Sequence, residues 1–338
     1  MNILVTGGAG YIGAITTKLL IDLGYKVVVV DSLENSDRSA INSRAEFYQG
    51  QIQDKALLKT ILNKYRFSAI MHFAACASVE ESYKNPMKYY ENNSVASYIL
   101  ISECMNANIK NFIFSSSCSI YGNSSSKKIN ENMIPHPINP YAETKLETEN
   151  LLRYVSKSDT LNVACLRFFN VAGASLDGNL GENHKKETHL IPNVIKNAIN
   201  EEPILIFGNN YNTKDGTCIR DYVHVLDIAE AHVVALRAML SRKIKKFNVF
   251  NVGTGKGYSN LEVIKTCEKL LSKKISIIFK GKRLGDPEIL IADPFKLNRV
   301  LGFKTKHSQI DQIIKTHILW YNNQNISPQK AFSKDIYQ

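Results

Sequence analysis

"NILVTGGAGYIGAITTKLL" at residues 2–20, with "KVVVVD" at 26–31 behind it, decides the fold. A short apolar run ends in glycines. A stretch with apolar residues at helical spacing, 11–23, then follows and is closed by Gly24. Gly7, Gly10 and Gly13 fall at GxxGxxG spacing between that strand and that helix. Glycine lets the backbone turn tightly and approach a pyrophosphate, which sits where the helix start presents free N–H groups. Tyr11 and Ile12 lie within the same turn. Asp31 ends the second strand, 18 residues after Gly13. A carboxylate there accepts hydrogen bonds from both adenosine ribose hydroxyls and repels a 2′-phosphate, so the expected cofactor is NAD rather than NADP. A turn built for packing alone would require neither the helix start nor the carboxylate.

Outward from this unit, strand and helix signals alternate. "AEFYQG" (45–50), "SAIMHFAA" (68–75), "KNFIFSSS" (110–117) and "NVACLRFFN" (162–170) read as buried strands. Helical patterns cover 54–65, 86–107 and 140–157. Continuous apolar strands separated by helices predict an α/β fold, a doubly wound parallel sheet of Rossmann type. After residue 172 the texture changes, and "AGASLDGNLGENHKKETH" (172–189) reads as a loop. "DYVHVLDIAEAHVVALRAML" (221–240) and "FNVFNVG" (247–253) repeat a helix and a buried strand, and are expected to return to the sheet. The expected division is therefore a cofactor domain over 1–172 with 221–253, and a smaller C-terminal α/β substrate domain over 173–220 and 254–338.

Composition excludes several classes. The 338 residues are 44% hydrophobic and 22% charged, an ordinary globular balance. The net charge of +11 comes from scattered pairs such as Lys127-Lys128 and Lys185-Lys186, without a run of five. A lysine-rich surface explains that better than a nucleic-acid footprint. The longest aliphatic run is "VVVV" at 27–30, so neither a membrane span nor a signal peptide is expected. Six cysteines without a CxxC suggest a reduced, cytoplasmic protein. Eight histidines without an HExxH predict no metal.

Chemistry is expected at two further places. "FIFSSSCSIYG" (112–122) leaves serines, Ser117 the last of three, at a strand's carboxyl end, where ligands bind in such sheets. "INPYAETKLETEN" (138–150) sets Tyr141 and Lys145 at i, i+4 behind Pro140, on one helix face. A phenol ordinarily titrates near 10 and is a poor base at neutral pH. A nearby ammonium and a positive nicotinamide ring both favour phenolate, which is expected to lower that value.

The blocks "VTGGAGYIG", "HFAA", "YYENN", "NFIFSSSCSIYG", "PYAETK", "LRFFNVAGA", "GENHKKETHLIP", "IFGNNYNTKDGTCIRDYVHV" and "NVGTGKGYS" span nearly the whole chain. Together they resemble the extended short-chain dehydrogenase/reductase superfamily, and within it the UDP-glucose (UDP-galactose) 4-epimerases. The resemblance implies NAD-dependent inversion at sugar C4 through a 4-keto intermediate, with UDP-sugar held by the C-terminal domain. By that resemblance Tyr141 is the general base/acid, Lys145 tunes it and holds NAD ribose, and Ser117 binds the 4-oxygen. Asp31, Ser32, Asn35 and Ser36 would surround the adenosine ribose, and Gln51 and Ile52 the adenine. Phe73, Ala74, Ala75, Ala77 and Asn92 would line NAD, with Phe169 near the nicotinamide. On the UDP side it places Asn170, His189, Leu190, Leu205, Ile206, Phe207, Arg220 and the segment Arg283 to Asp286. For Arg220, an ion pair with Asp221 or Asp227 is the purely structural alternative. Relatives of this kind commonly form homodimers through the helices at 86–107 and 140–157.

The chain departs from the family pattern in places. Gln51 stands where many relatives have aspartate, Ala77 where some have lysine, and Glu80 where a glycine is frequent. Leu290 stands where relatives carry tyrosine or a smaller residue, which keeps UDP-GlcNAc/GalNAc and UDP-pentose 4-epimerase readings open. A 4,6-dehydratase needs an Asp-Glu pair after the serines, but Ser117-Cys118-Ser119-Ile120 has no carboxylate. A UDP-glucuronate decarboxylase or a non-catalytic RNA-binding protein are the remaining alternatives.

Overall fold

The computed structural model of the protein describes residues 1–124, 126–158, 160–184, 187–283 and 286–325. Lys185 and Lys186, residues 284–285 of the expected UDP segment, and 326–338 of the expected substrate domain lie outside the described residues.

Six strands of the first half lie in one parallel sheet: β1 (Asn2–Thr6), β2 (Lys26–Asp31), β3 (Glu46–Gln49), β4 (Phe67–His72), β5 (Asn111–Ser117) and β6 (Asn162–Phe168). The short strands β7 (Asn170–Ala172), β8 (Ile204–Phe207), β9 (Ile219–Arg220) and β10 (Tyr222–His224) follow. Then β11 (Phe247–Val252) pairs in parallel with β6 and makes the seventh strand, in the order β11-β6-β5-β4-β1-β2-β3. β12 (Tyr258–Ser259), β13 (Ile277–Lys280) and β14 (Ile289–Leu290) complete the strands. The helices are α1 (Tyr11–Asp22), α2 (Lys55–Lys64), α3 (Val79–Lys84), α4 (Pro86–Tyr89), α5 (Ala96–Asn106), α6 (Pro140–Val155), α7 (Leu190–Asn200), α8 (Val225–Leu240), α9 (Asn260–Leu271), α10 (Phe295–Leu301) and α11 (Ile310–Asn325).

Side chains alternate across a strand, so an unbroken apolar strand must be covered twice. Ile3, Val5, Val27, Val29 and Met71 pack on one face with Leu20 of α1 and Leu236 of α8. Leu4, Val28, Val30, Ile70 and Phe112 pack on the other with Ile61 of α2 and Leu100 of α5. A separate core joins α7, α9 and α11 to β8 through Ile195, Ile206, Ile264 and Ile314.

The chain runs from β1 to β2 and β3 on one side, then crosses to β4 on the other. That reversal opens a crevice beyond the carboxyl ends of β1 and β4, where ligands of doubly wound sheets bind. α4 runs into α5 through a π-helical segment, Tyr90–Val95. Such widened turns carry an extra residue per turn and often mark functional positions. Here one turns Asn93 inward. Its side chain brackets Cys76, accepting from the amide at 2.8 Å and donating to the carbonyl at 3.0 Å. It also donates to Thr144 Oγ1 at 3.1 Å, tying the loop after β4 to α6.

Candidate active site

The glycine turn is shaped by close backbone approach. Phe73 and Ala74 both donate their N–H groups to the Thr6 carbonyl, at 2.9 and 3.1 Å. This lays the end of β4 against Gly7, whose φ is +72°. A Cβ on Gly7 would lie 2.7 Å from Ala74 Cα and 2.8 Å from the Phe73 carbonyl carbon, so the position admits only glycine. A Cβ on Gly13 would lie 2.9 Å from the Gly7 carbonyl carbon. Gly10 caps α1 without a side-chain hydrogen bond, and the first turn carries no acidic residue. By contrast α2, α6 and α9 are capped by Asp54, Asn139 and Ser259. The open helix start and the bare cradle fit the pyrophosphate of NAD.

Asp31 is held rigidly. Its Oδ1 accepts from Leu33 N–H at 2.9 Å and Ser36 Oγ at 2.8 Å, and its Oδ2 accepts from Ala9 N–H at 3.0 Å. Oδ2 therefore keeps one lone pair for a ribose hydroxyl. Asp31→Asn keeps the shape but removes the charge, so NAD affinity should fall by at least about tenfold with weaker discrimination against NADP. Fluorescence titration with both nucleotides reads this; an unchanged NAD/NADP ratio would refute the role. Gln51 donates to Glu34 at 2.6 Å on the same rim.

At the carboxyl end of β5, Asn139 caps α6 by accepting from Ala142 N–H at 2.9 Å, with Pro140 in the first turn. This start aims Tyr141 and Lys145 into the crevice. Lys145 donates to the Ser115 carbonyl at 2.9 Å and lies 5.9 Å from the centre of the Tyr141 ring. Burial pulls the Lys145 ammonium down to about 8. The Tyr141 phenol goes the other way. Burial pushes it up to about 12, and a hydrogen bond with Ser117 offsets only part of that. The expected lowering counts on Lys145 and a positive nicotinamide ring together; with Lys145 alone it is not reached, because the ammonium donates to the Ser115 carbonyl and burial outweighs the Ser117 hydrogen bond. Lowering it requires a positive charge brought by the cofactor.

Beneath this pair lies a buried network. Glu149 accepts from Arg167 through both oxygens, at 3.0 and 2.6 Å, and from Ser116 Oγ at 2.6 Å. Arg167 also donates to Tyr121 Oη at 2.7 Å, and that hydroxyl donates to Asn251 at 2.8 Å. One ion pair thereby fixes α6, β5, β6 and β11 relative to one another.

All the expected site residues, from Gly7 to Asp286, line a single cleft of about 1550 Å³ between the sheet and the α7–α9–α11 unit. Arg220 pairs with neither Asp221 nor Asp227. It donates to Asp286 Oδ1 at 2.9 Å, while Asp221 accepts from Thr254, Gly255 and Ala292. Arg283 stacks 3.8 Å from the centre of the Phe207 ring. His189 stands 2.5 Å from Glu182, whose charge raises it to about 9. Sequence reasoning missed Asn93, Glu149, Glu182 and Trp320, the last at the cleft's far wall. They lie in loops or helix interiors, and no local sequence pattern singles them out.

The sequence profile described as the NAD dependent epimerase/dehydratase family matches residues 3–253. A protein of Lactobacillus helveticus, "UDP-glucose 4-epimerase", is 44% identical over 324 residues, covering 96% of this chain and 98% of its own. The crystal structure of UDP-glucose 4-epimerase from Brucella ovis in complex with NAD superposes with a TM-score of 0.90 at 42% identity, covering 94% and 97% of the two chains. That of UDP-glucose 4-epimerase from Bifidobacterium longum in complex with NAD+ and UDP also gives 0.90, at 35% identity, covering 96% and 98%.

Proposed function

The chain belongs to the NAD dependent epimerase/dehydratase family, and from that premise we propose that it interconverts UDP-glucose and UDP-galactose by inverting the sugar at C4. The observation that carries this is the convergence of Ser117, Tyr141 and Lys145 in the cleft that also holds the bare glycine turn. Tyr141 takes the proton from the 4-hydroxyl and later returns it. Ser117 hydrogen-bonds the 4-oxygen and keeps it in line with the phenol. Lys145 holds the nicotinamide ribose. When bound, NAD supplies reversible two-electron oxidation at C4, and its positive ring brings the phenol toward working pH. Residues 1–172 with 221–253 hold the cofactor, and the described residues of 173–220 and 254–325 hold UDP. Arg220 and Arg283 suit the diphosphate, because guanidinium donors match its oxygens in pairs. Anchoring UDP firmly while gripping the hexose loosely lets the keto sugar present its other face.

Purified protein incubated with UDP-glucose should yield UDP-galactose, resolved chromatographically. No interconversion with NAD retained would refute the proposal. Leu290, buried in the cleft wall, is smaller than tyrosine and favours UDP-GlcNAc as a second substrate to assay.

A homodimer is proposed through α5 and α6. Tyr98, Ile101 and Met105 face Leu151, Tyr154 and Val155 across an apolar groove, with Tyr154 67% exposed. Tyr154→Glu should halve the mass measured by light scattering, whereas a monomeric wild type would overturn the assignment. No helix among the described residues is long and apolar enough to cross a membrane. All six cysteines are unpaired, which supports a reducing cytoplasmic location.

A further inference from the structure

The loop between β7 and α7 carries Glu182-x-His184-x-x-Glu187-x-His189. This spacing matches neither HExxH nor CxxC, so motif reading alone expects no metal. The fold nevertheless gathers one ligand-capable atom from each of the four side chains within 4.8 Å of the others. His184 Nδ1 is 3.4 Å from Glu182 Oε1 and 3.4 Å from Glu187 Oε2. His189 Nδ1 is 3.7 Å from Glu187 Oε1 and 2.5 Å from Glu182 Oε1. In a tetrahedral site with bonds of about 2.0–2.1 Å, neighbouring ligand atoms are about 3.3–3.4 Å apart. The two separations from His184 are close to that, and the 3.7 Å one runs to the other Glu187 oxygen. The fourth is a His–Glu hydrogen bond, the contact an ion would replace.

A second observation is independent of these distances. The Glu182 side chain is 1% exposed, and its Oε2 has no hydrogen-bond partner. Among the described residues five buried side-chain polar atoms lack a partner, and three belong to this corner: Glu182 Oε2 and both ring nitrogens of His317. His317, on α11, is 1% exposed and feels the charges of Glu182 and Glu187. Buried polar atoms are nearly always paired, so such a concentration calls for an occupant. The plainer alternative is an ion-pair cluster that ties the loop down. It accounts for the His–Glu contacts but leaves Glu182 Oε2 unpaired.

We propose that Glu182, His184, Glu187 and His189 form a binding site for a divalent transition-metal ion of the zinc or cobalt kind, which fastens this loop to the start of α7. Two imidazoles and two carboxylates suit such borderline ions better than Mg2+ or Ca2+, which prefer oxygen alone. The ion is structural in this assignment; Glu182, His184 and His189 line the same cleft as Ser117, Tyr141 and Lys145, and an ion on His189 would take the place of the UDP contact that the resemblance gives that residue.

The test uses full-length, untagged protein stripped with a chelator and titrated with CoCl2. Visible absorption should saturate at one equivalent per chain, and added Zn2+ should abolish it. His184→Gln and Glu182→Gln should each weaken binding by at least about tenfold, while His136→Gln, at an exposed histidine, should not. His184 is 37% exposed, so its variant should fold normally, which circular dichroism verifies. Absence of saturable absorption, a thiolate charge-transfer band, or equal affinity in the His184 and Glu182 variants would overturn the site. The titration reads no turnover, so its failure leaves the epimerase proposal standing.

Discussion

Tyr141→Phe should lower kcat for C4 inversion by about 10²–10⁴-fold, the usual worth of a positioned general base and acid, while NAD stays bound. The ring remains, so packing against Tyr89, 6.5 Å away centre to centre, is preserved. Only the group that moves the proton is gone. The same residue makes a second, spectroscopic expectation. Burial holds the phenol up at about 12 in the protein without cofactor. A positive nicotinamide ring stabilises phenolate relative to phenol, so the sign of the change on loading NAD is downward. The wild-type minus Tyr141→Phe ultraviolet difference titration should therefore show tyrosinate forming at lower pH in the NAD-loaded protein. Equal titrations in the two states, or a variant of undiminished kcat, would remove Tyr141 from the proton-transfer role.

Glu149→Ala should destabilise the fold by about 3–5 kcal/mol, because it leaves the Arg167 guanidinium buried and unpaired. The two side chains are 0% and 3% exposed, so water cannot take over the lost hydrogen bonds. Ser116 and, through Arg167, Tyr121 lose their order as well. Urea unfolding would measure the loss. Replacing both partners by apolar residues of similar size, Glu149→Leu with Arg167→Met, should cost much less than the two single changes together. Additive losses would mean that the pair does not act as a unit. Because Glu149 lies one helical turn beyond Lys145, the same change should also loosen Lys145 from the Ser115 carbonyl and reduce kcat more than KM.

Much of this site is legible in the sequence. The turn at Gly7, Gly10 and Gly13 is written into adjacent residues, because only glycine tolerates the φ of +72° at Gly7 and the approach of Ala74. The Tyr141 and Lys145 pairing follows from helical periodicity behind Pro140. What stayed hidden has no local signature. Asn93 differs from Asn92 only in the direction that the π-helical turn gives it. Glu149 reads as one more charge on a helix until Arg167 and Ser116 meet it inside the sheet. Lys145 and a positive nicotinamide ring are together expected to lower the phenol. The fold directs the ammonium to a backbone carbonyl, so without the ring burial wins.

The sequence by itself determined the parallel sheet, the carboxylate that ends the second strand at Asp31 and the spacing that sets Tyr141 and Lys145 on one helix face. Each depends on a strand period, a helix period or a backbone angle, which neighbouring residues set. Tertiary structure alone decided which charges meet. Arg220 finds Asp286 rather than the adjacent Asp221, and Glu182 gathers two histidines and a second carboxylate beside it. Coulomb energy falls with distance and rises with burial, and neither quantity exists for a side chain until the chain has folded around it.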